Sequence, residues 1–329
     1  MTRTEQIRAI KKFGFTERQA GFLVTVLVHA GVCVGRQYCA YARIVRGQKV
    51  HDFFSTLVAK KFATPYTSAH RGARLYHIQG KPLYGAVGEP DNRNRRPATL
   101  ARAIERLMVL DAVLADGSLR WLGTEREKVS YFQATTTLRP NELPHLGFGV
   151  PPDQTVRYFP DKLPIGVGSD GRTHLFLYLV NRSAPVDFRA FLHRHVELLR
   201  ALPEWEVRLL TPQHLAEAVP AFEAAARQEL AMPLRIDAVD ELRWFFDQQR
   251  RLEEGAAPDD DARFVRVHRR FHAPRFRTLY RLWKREGNRL LHSTVSPVLK
   301  DALERERGRV TTAMLAHRYQ HLSSLVGSA

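Results

Sequence analysis

Cysteine is nearly absent from this sequence: Cys33 and Cys39 are the only two among 329 residues. Their spacing forms no CxxC pair of the kind that holds zinc, and two thiols cannot build the disulfide framework of a small secreted scaffold. Both are expected to be buried thiols. Long hydrophobic runs are missing as well. No stretch approaches ~18 uninterrupted apolar residues, so no membrane-spanning helix is expected. The N-terminal MTRTEQIRAIKKFG has neither the apolar block nor the small-residue cleavage site of a secretory signal. Together these absences predict a cytoplasmic protein with no membrane partner. GxxxxGK[ST], HExxH and GxSxG do not occur, and GVGSDG lacks the GxGxxG spacing of a dinucleotide-binding turn. No cofactor and no metal are therefore expected. The lack of a fixed-period repeat argues against a solenoid or propeller.

Acidic residues are the remaining shortage. Asp and Glu number 34 against 51 Lys and Arg, a formal net charge of +17, and apolar residues make up 44% of the chain. That apolar content supports a folded core and two or three domains of roughly 100–150 residues. The charge makes a polyanion the first partner to consider. Placement says more than the total. Residues 1–81 hold 14 Lys/Arg and 3 Asp/Glu, residues 263–309 hold 14 and 4, and the stretch between them is net acidic. Two separate basic regions are expected, not a uniformly sticky surface.

The chain divides into consecutive modules: residues 1–81, a connector and linking helix over 82–134, an α/β unit over 135–212, and a mainly helical basic region over 213–329. The run GKPLYGAVGEPDNRNRRP, residues 80–97, reads as an extended connector. Pro97 then suits the first turn of a helix in which Leu100, Ile104, Leu107, Met108 and Leu114 recur at helical spacing. That helix is a candidate strut or dimer helix, with packing against its own chain as the plain alternative. SLRWLG reads as a short strand, Thr124 with Glu127 opens the next helix, and Pro140, Pro144, Pro151 and Pro152 mark a boundary loop. From residue 155 the pattern becomes strand, turn, strand, helix, strand: TVRYFP, LPIGVG, SDGR, THLFLYLV, DFRAFLHRHVELLRAL and EVRLLT. After Pro212 the chain reads as helical, broken by the acidic loop 253–262, with a frayed tail from Ser323 to Ala329.

Helical patterns fill the N-terminal module. TEQIRAIKKFG ends at Gly14, and a second helix starting at Thr16 places Phe22, Leu23, Val26 and Leu27 on one face. A short helix carries Tyr38, Tyr41 and Ile44 up to Gly47. In KVHDFFSTLVAKKF the apolar residues Val50, Phe53, Phe54, Leu57 and Val58 fall at i, i+3, i+4, i+7 and i+8. His51, Asp52, Ser55, Thr56 and Lys60 are left on other faces, which could enter a major groove. ATPYTSA, the turn HRGA and RLYHIQ follow as a hairpin, with Gly72 free to take positive φ and Arg71 and Arg74 near the tip. Tandem helices followed by a basic hairpin are the layout of a winged helix-turn-helix. Lys49, Lys60, Lys61, Arg71 and Arg74 are the phosphate-binding candidates, and His51, Ser55 and Thr56 the candidates for base edges. A winged helix used only for protein contacts or dimerisation is the competing reading.

Residues 158–200 imitate nucleases of the PD-(D/E)xK class, in which two carboxylates on adjacent strands bind Mg²⁺ and a lysine helps activate water. The acids are missing. The strand LFLYLV carries no Asp, Glu or Lys, and Asp161 alone cannot hold the metal, so Asp161 reads as a turn or salt-bridge residue. At this point the chain resembles a family. FTERQAGFLVTVLVHAGVCVGRQYCAYARIVRG, the following wing, RLMVLDAVLAD and YFPDKLPIGVGSDGRTHLFLYLV together are similar to replication-relaxation-type proteins of bacterial plasmids and integrative elements. The resemblance covers roughly residues 14–212 and rests on layout. It implies an N-terminal winged helix, a degenerate endonuclease-like domain, and a nucleoid-associated accessory factor of a mobile element.

His193 and His195 are two apart on a helix and point roughly 200° apart, which disfavours joint metal ligation. From Arg263 to Arg289 arginines interleave with Phe264, Phe271, Phe276, Tyr280 and Trp283, a mixture that can bind phosphates and stack on bases, although such aromatics more often form a core. The fold expected is α+β and multidomain: a winged helix-turn-helix, a degenerate restriction-endonuclease-like α/β unit, and a mainly helical basic C-terminal region. The function expected is non-catalytic binding of double-stranded DNA by a transcriptional regulator or a replication or mobilisation accessory factor, possible as a homodimer. The alternatives are a metal-dependent nuclease whose missing acid comes from elsewhere in the fold, for example Glu197 or Asp187, and an adaptor that recruits replication or transfer proteins.

Overall fold

Helices that bury apolar residues build the N-terminal part of the protein, which a computed structural model describes over residues 1–66, 74–149 and 155–319. Arg71, Gly72, Pro151, Pro152 and the tail from Ser323 lie outside the described residues. Thr2 and Thr16 each close a capping box on the helices α1 (Arg3–Lys11) and α2 (Glu17–His29). Phe22, Leu23, Val26 and Leu27 of α2 are fully buried. Gly31 then turns the chain at φ +69, and a Cβ there would meet the Asn94 carbonyl oxygen at 2.4 Å. A strand absent from the sequence-based expectation follows, β1 (Val32–Val34), and leads into α3 (Gly35–Ala42). This helix stops before Ile44 because Arg43 takes a left-handed conformation, φ 52. Next come α4 (Gln48–Ala59), β2 (Ala63–Pro65) and β3 (Leu75–Ile78), and the three strands form an antiparallel sheet in the order β1-β3-β2. Cys33 is buried as expected, whereas Cys39 is only half-buried, on the side of α3 that packs at the edge of the core.

Residues 80–97 are not an extended connector. They fold into α5 (Lys81–Ala86) and a 3₁₀ turn, Arg93–Arg95. Leu83, Tyr84 and Val87 outweigh the glycines and prolines by entering the core, and Pro82 falls in the first turn of α5, where a missing N–H costs nothing. Asn94 donates to the Leu27 and Val28 carbonyls at 3.1 and 3.2 Å, which satisfies the C-terminal end of α2. Helix α6 (Leu100–Ala115), capped by Thr99, is the strut of the molecule. It packs on α2, α3 and β1 and also on the main sheet, so its apolar face is consumed within its own chain and is not a dimer surface.

The main sheet takes strands from distant parts of the chain. After β4 (Arg120–Leu122) and α7 (Glu125–Thr135), the strands β5 (His145–Phe148) and β6 (Thr155–Tyr158) pair only with each other. The sheet resumes with β7 (Ile165–Val167) and β8 (Thr173–Leu179), crosses over through α8 (Val186–Ala201), and continues in β9 (Glu204–Thr211). Leu175, Leu177 and Leu179 of β8 face α6, while Phe176 and Tyr178 face the core shared with α7 and α8. Burial on both sides explains why THLFLYLV reads as an unbroken apolar run.

The C-terminal region is helical as far as α9 (Val219–Ala226), a π-helical turn (Arg227–Ala231), α10 (Ile236–Glu253), α11 (Asp261–Phe271), α12 (Pro274–Glu286), α13 (Arg289–Ser293) and α14 (Val298–Glu304). It ends in a strand, β10 (Gly308–Met314), parallel to β9, where a helix was expected. The sheet order is therefore β10-β9-β8-β7-β4. β-Branched Val310, Thr311 and Thr312 suit a strand, and Glu206 of β9 fixes the register by pairing with Arg309 and accepting from Thr311 at 2.7 Å. A Cβ on Gly308 would run into the Trp205 ring at 2.3 Å, so the first position of β10 needs glycine.

Phe271, Tyr280 and Trp283 form a separate core with Phe245 and Phe246, and Phe264 and Phe276 pack against it. The aromatics of the basic run are thus structural. One carboxylate ties this region to α8. Glu229, in the π-helical turn and 1% exposed, pairs with Arg189, with His193 at 2.9 Å and with Arg275 at 3.3 Å. Burial alone would raise its carboxyl, but the His193, Arg275 and Arg189 charges outweigh that and hold it below the usual carboxylate range. The chain is a mixed α+β protein. Among the described residues, no helix is long and apolar enough to cross a membrane.

Candidate nucleic-acid interface

Helix α4 has one locked face and one open face. Val50, Phe53, Phe54 and Leu57 are buried. Phe53 packs on Tyr38 with ring centroids 4.4 Å apart, and Phe54 stacks on Tyr76 of β3 at 4.3 Å. These contacts fix the helix against both α3 and the hairpin. Lys49, His51, Ser55 and Thr56 are exposed on the opposite side. Val58, expected on the apolar face, is 38% exposed and belongs to the open side. Asp52 shares that side, where it accepts from Gln48 at 2.6 Å. The first turn of α4 holds Lys49 and no acidic residue, so the positive end of the helix dipole stands uncompensated.

The end of α4 carries the expected cations, in different circumstances. Lys60 is exposed, yet its ammonium donates to the Phe13 carbonyl at 2.6 Å and lies 5.6 Å over the Phe15 ring, so it binds the end of α1 to α4. Lys61 takes a left-handed conformation, φ 57, which stops the helix and turns the chain into β2. Its side chain is exposed, as is that of Arg74 just before β3. Arg71 lies outside the described residues. The fold thus brings Lys49, His51, Ser55 and Thr56 together on α4, and Lys61 and Arg74 to the two strands that follow it.

A second concentration of charge was not anticipated. A cleft of about 290 Å³ lies between α6, the 3₁₀ turn and the lead into β7. Arg93, Arg102, Arg106 and Lys162 line it, with Asp161 and Asp187. Asp161 pairs with Arg194 of α8, as a salt-bridge residue would, and Asp187 pairs with Arg182 at 3.3 Å. Glu197 does not line the cleft and pairs with Arg200 at 3.0 Å. Behind the cleft Lys128 is fully buried and donates to the Leu163 carbonyl at 2.6 Å. Burial, reinforced by the Arg93 charge, pulls its ammonium down to about 7. His29 also faces the cleft, and burial, with Arg3 and Lys128 adding, holds its imidazole down at about 3.

His193 and His195 do face different surroundings, His193 meeting Glu229 and His195 lying among Phe159, Phe176 and Phe191. Among the described residues no group of three His, Cys, Asp or Glu is placed to hold a metal ion. The arginines of the cleft were visible in sequence as RNRR and LARAIER, but nothing in either segment signals that they converge. Comparison of the chain with protein-family models, with curated proteins and with solved structures finds no match.

Proposed function

We propose that this chain is a non-catalytic protein that binds double-stranded DNA, acting as a transcriptional regulator or as a replication or mobilisation accessory factor of a bacterial mobile element. The observation that carries the reading is the open face of α4: Lys49, His51, Ser55 and Thr56 are exposed while four apolar residues anchor the helix from behind. Phosphates would take Lys49, Lys61, Arg74 and, by expectation, Arg71; base edges would take His51, Ser55 and Thr56. The order α2-β1-α3-α4-β2-β3 is that of a winged helix-turn-helix, in which α4 would enter the major groove and the β2–β3 hairpin would lie along the backbone. Strands β7 and β8 antiparallel, then β9 parallel after a crossover helix, agree with a degenerate endonuclease-like unit. The resemblance to replication-relaxation-type proteins supplies the cellular setting.

Titration of the full chain with duplex DNA over a range of salt concentrations tests the reading. Lys49→Glu with Lys61→Glu should weaken binding to every sequence and reduce the salt slope by about 0.9 per lost phosphate contact. Unchanged retention at low salt would reject the interface. A nuclease reading has one observation in its favour, since Asp161 and Asp187 line the same cleft. Both carboxylates are committed to arginines, so the expected result with Mg²⁺ and plasmid DNA is no cleavage; cleavage abolished by Asp161→Ala would establish the enzyme instead.

A further inference from the structure

The cleft holds more positive charge than its own carboxylates neutralise. Glu105 is taken by Arg102, Asp161 by Arg194 and Asp187 by Arg182. Among the described residues Arg93 donates only to the Lys162 carbonyl, 3.0 Å away, and the buried Nη1 of Arg106 has no hydrogen-bond partner. Lys162 stands exposed beside them. Burial lowers Arg93 to about 9, and the Arg106 and Arg102 charges add to the effect. Burial followed by the Arg102 charge lowers Arg106, and Lys162, open to solvent on one side only, is lowered by its partial burial and then by the Arg93, Arg102 and Arg106 charges. Crowding like charges in a half-buried cleft costs folding energy. An anion bound there would reverse the sign of that cost.

We infer that this cleft binds a phosphate group carried by a small phosphorylated molecule of mononucleotide size. Guanidinium forks match phosphate oxygens bidentately. The cleft volume lies near the lower end of small-ligand sites, which run from about 300 Å³ upward. Its wall also offers Val109, Leu163, Leu179 and the Tyr178 ring to the uncharged part of a ligand. None of the α4 or hairpin residues assigned to duplex DNA lines it, so this site is independent of the proposed interface. Arg93 adjoins Asn94, which holds the C-terminal carbonyls of α2, so a ligand here would touch the segment that seats the N-terminal helices. A strand end of a nucleic acid presents the same chemical group, and the experiment separates the two sources.

Calorimetric titration of the full chain at fixed ionic strength would use inorganic phosphate, adenosine 5′-monophosphate and a blunt duplex oligonucleotide with 5′-phosphorylated ends. Wild type should bind phosphate saturably and the mononucleotide more tightly. Arg106→Gln should weaken both by about tenfold, the loss of one charge-assisted contact, and leave duplex affinity unchanged. Lys162→Gln, an exposed position outside any core, should repeat the loss, which guards against a folding defect in the first variant. Wild type that takes up neither small anion, or variants that bind them as wild type does, would overturn the site. So would variants that lose duplex binding alone, because the cations would then serve a nucleic-acid strand. The Lys49→Glu, Lys61→Glu protein should keep its phosphate response even if the duplex interface proves wrong.

Discussion

The two basic ends of the chain carry almost the same charge surplus and spend it differently. In the N-terminal module Lys49, Lys61 and Arg74 are exposed and form no ion pair among the described residues. At the C-terminal end more of the cations are engaged: Arg275 with Glu229, Arg270 with Glu241, Lys284 with Glu253, Arg309 with Glu206, and Arg263 lying 4.0 Å over the Trp244 ring. Exposed there without an ion pair among the described residues are Arg266, Arg269, Arg305, Arg307 and a stripe on α12, Arg277, Arg281 and Arg285, spaced one helical turn apart. A count of charges along a sequence therefore says how many cations a region owns. Only pairing says how many a polyanion can reach.

The strongest way to break this contrast is to remove the carboxylate that holds Arg275 of the C-terminal run against α8. Glu229→Ala would leave Arg189, His193 and Arg275 buried against one another without a counter-charge. The expected cost is about 3–5 kcal/mol, read as a fall in the urea midpoint. A loss below about 1 kcal/mol would mean that these cations do not depend on Glu229 and that the C-terminal end is less committed than its geometry implies.

Local elements were legible in the sequence because their signals are local. Thr16 and Thr124 mark helix starts by hydroxyls that need only a residue three positions on, and Val50, Phe53, Phe54 and Leu57 mark α4 by their own spacing; α1, expected from Thr4, is capped instead by Thr2. The missed strands are those whose partners lie far away. β1 is three residues fused to the apolar end of α2, and its pairing with β3 crosses about forty residues of chain, a separation no periodicity reports. β10 sits in a segment whose charged start, DALERERGR, reads as helix, and only β9 makes its second half a strand. The open face of α4 was readable as a face. The cleft was not, because Arg93, Arg106 and Lys162 come from a turn, a helix and a loop whose convergence exists only after α6 has docked on the sheet.

Acid should separate the two regions by the pH at which each begins to fail. His29 is buried and neutral in the N-terminal core, with its pKa down at about 3 from an ordinary value of 6.5. The unfolded chain therefore binds a proton between those values that the folded chain refuses, and stability falls as pH drops below about 6.5. The shift corresponds to about 2 kcal/mol lost by pH 5. Glu229 acts in a lower window: its carboxyl is held below the usual range, so its contribution is complete above the ordinary carboxylate pKa and is lost only as pH falls beneath it. Burial also holds the His195 imidazole down at about 4, so denaturant titrations from pH 7 to pH 5 should become shallower, not flat, in His29→Leu and keep their slope in Glu229→Gln. Equal slopes in His29→Leu and wild type would remove His29 as the source of the early loss.

The smallest expected difference lies at the helix starts. α2 begins with a complete capping box in which Thr16 accepts from the Gln19 N–H at 3.3 Å and Gln19 accepts from the Thr16 N–H at 2.9 Å. α12 is preceded by Ala273, whose methyl caps nothing although its backbone, φ −61 and ψ 153, already has the extended geometry that a capping residue adopts. The same exchange should therefore act with opposite sign at the two ends. Thr16→Ala should cost about 1 kcal/mol, because it removes the side-chain acceptor of the Gln19 N–H at the start of α2, while Ala273→Ser should return a similar amount by giving α12 the acceptor it lacks. Both are measurable as shifts of the urea midpoint at constant slope. A serine at 273 that adds nothing would mean that the first turn of α12 already finds its acceptors in solvent.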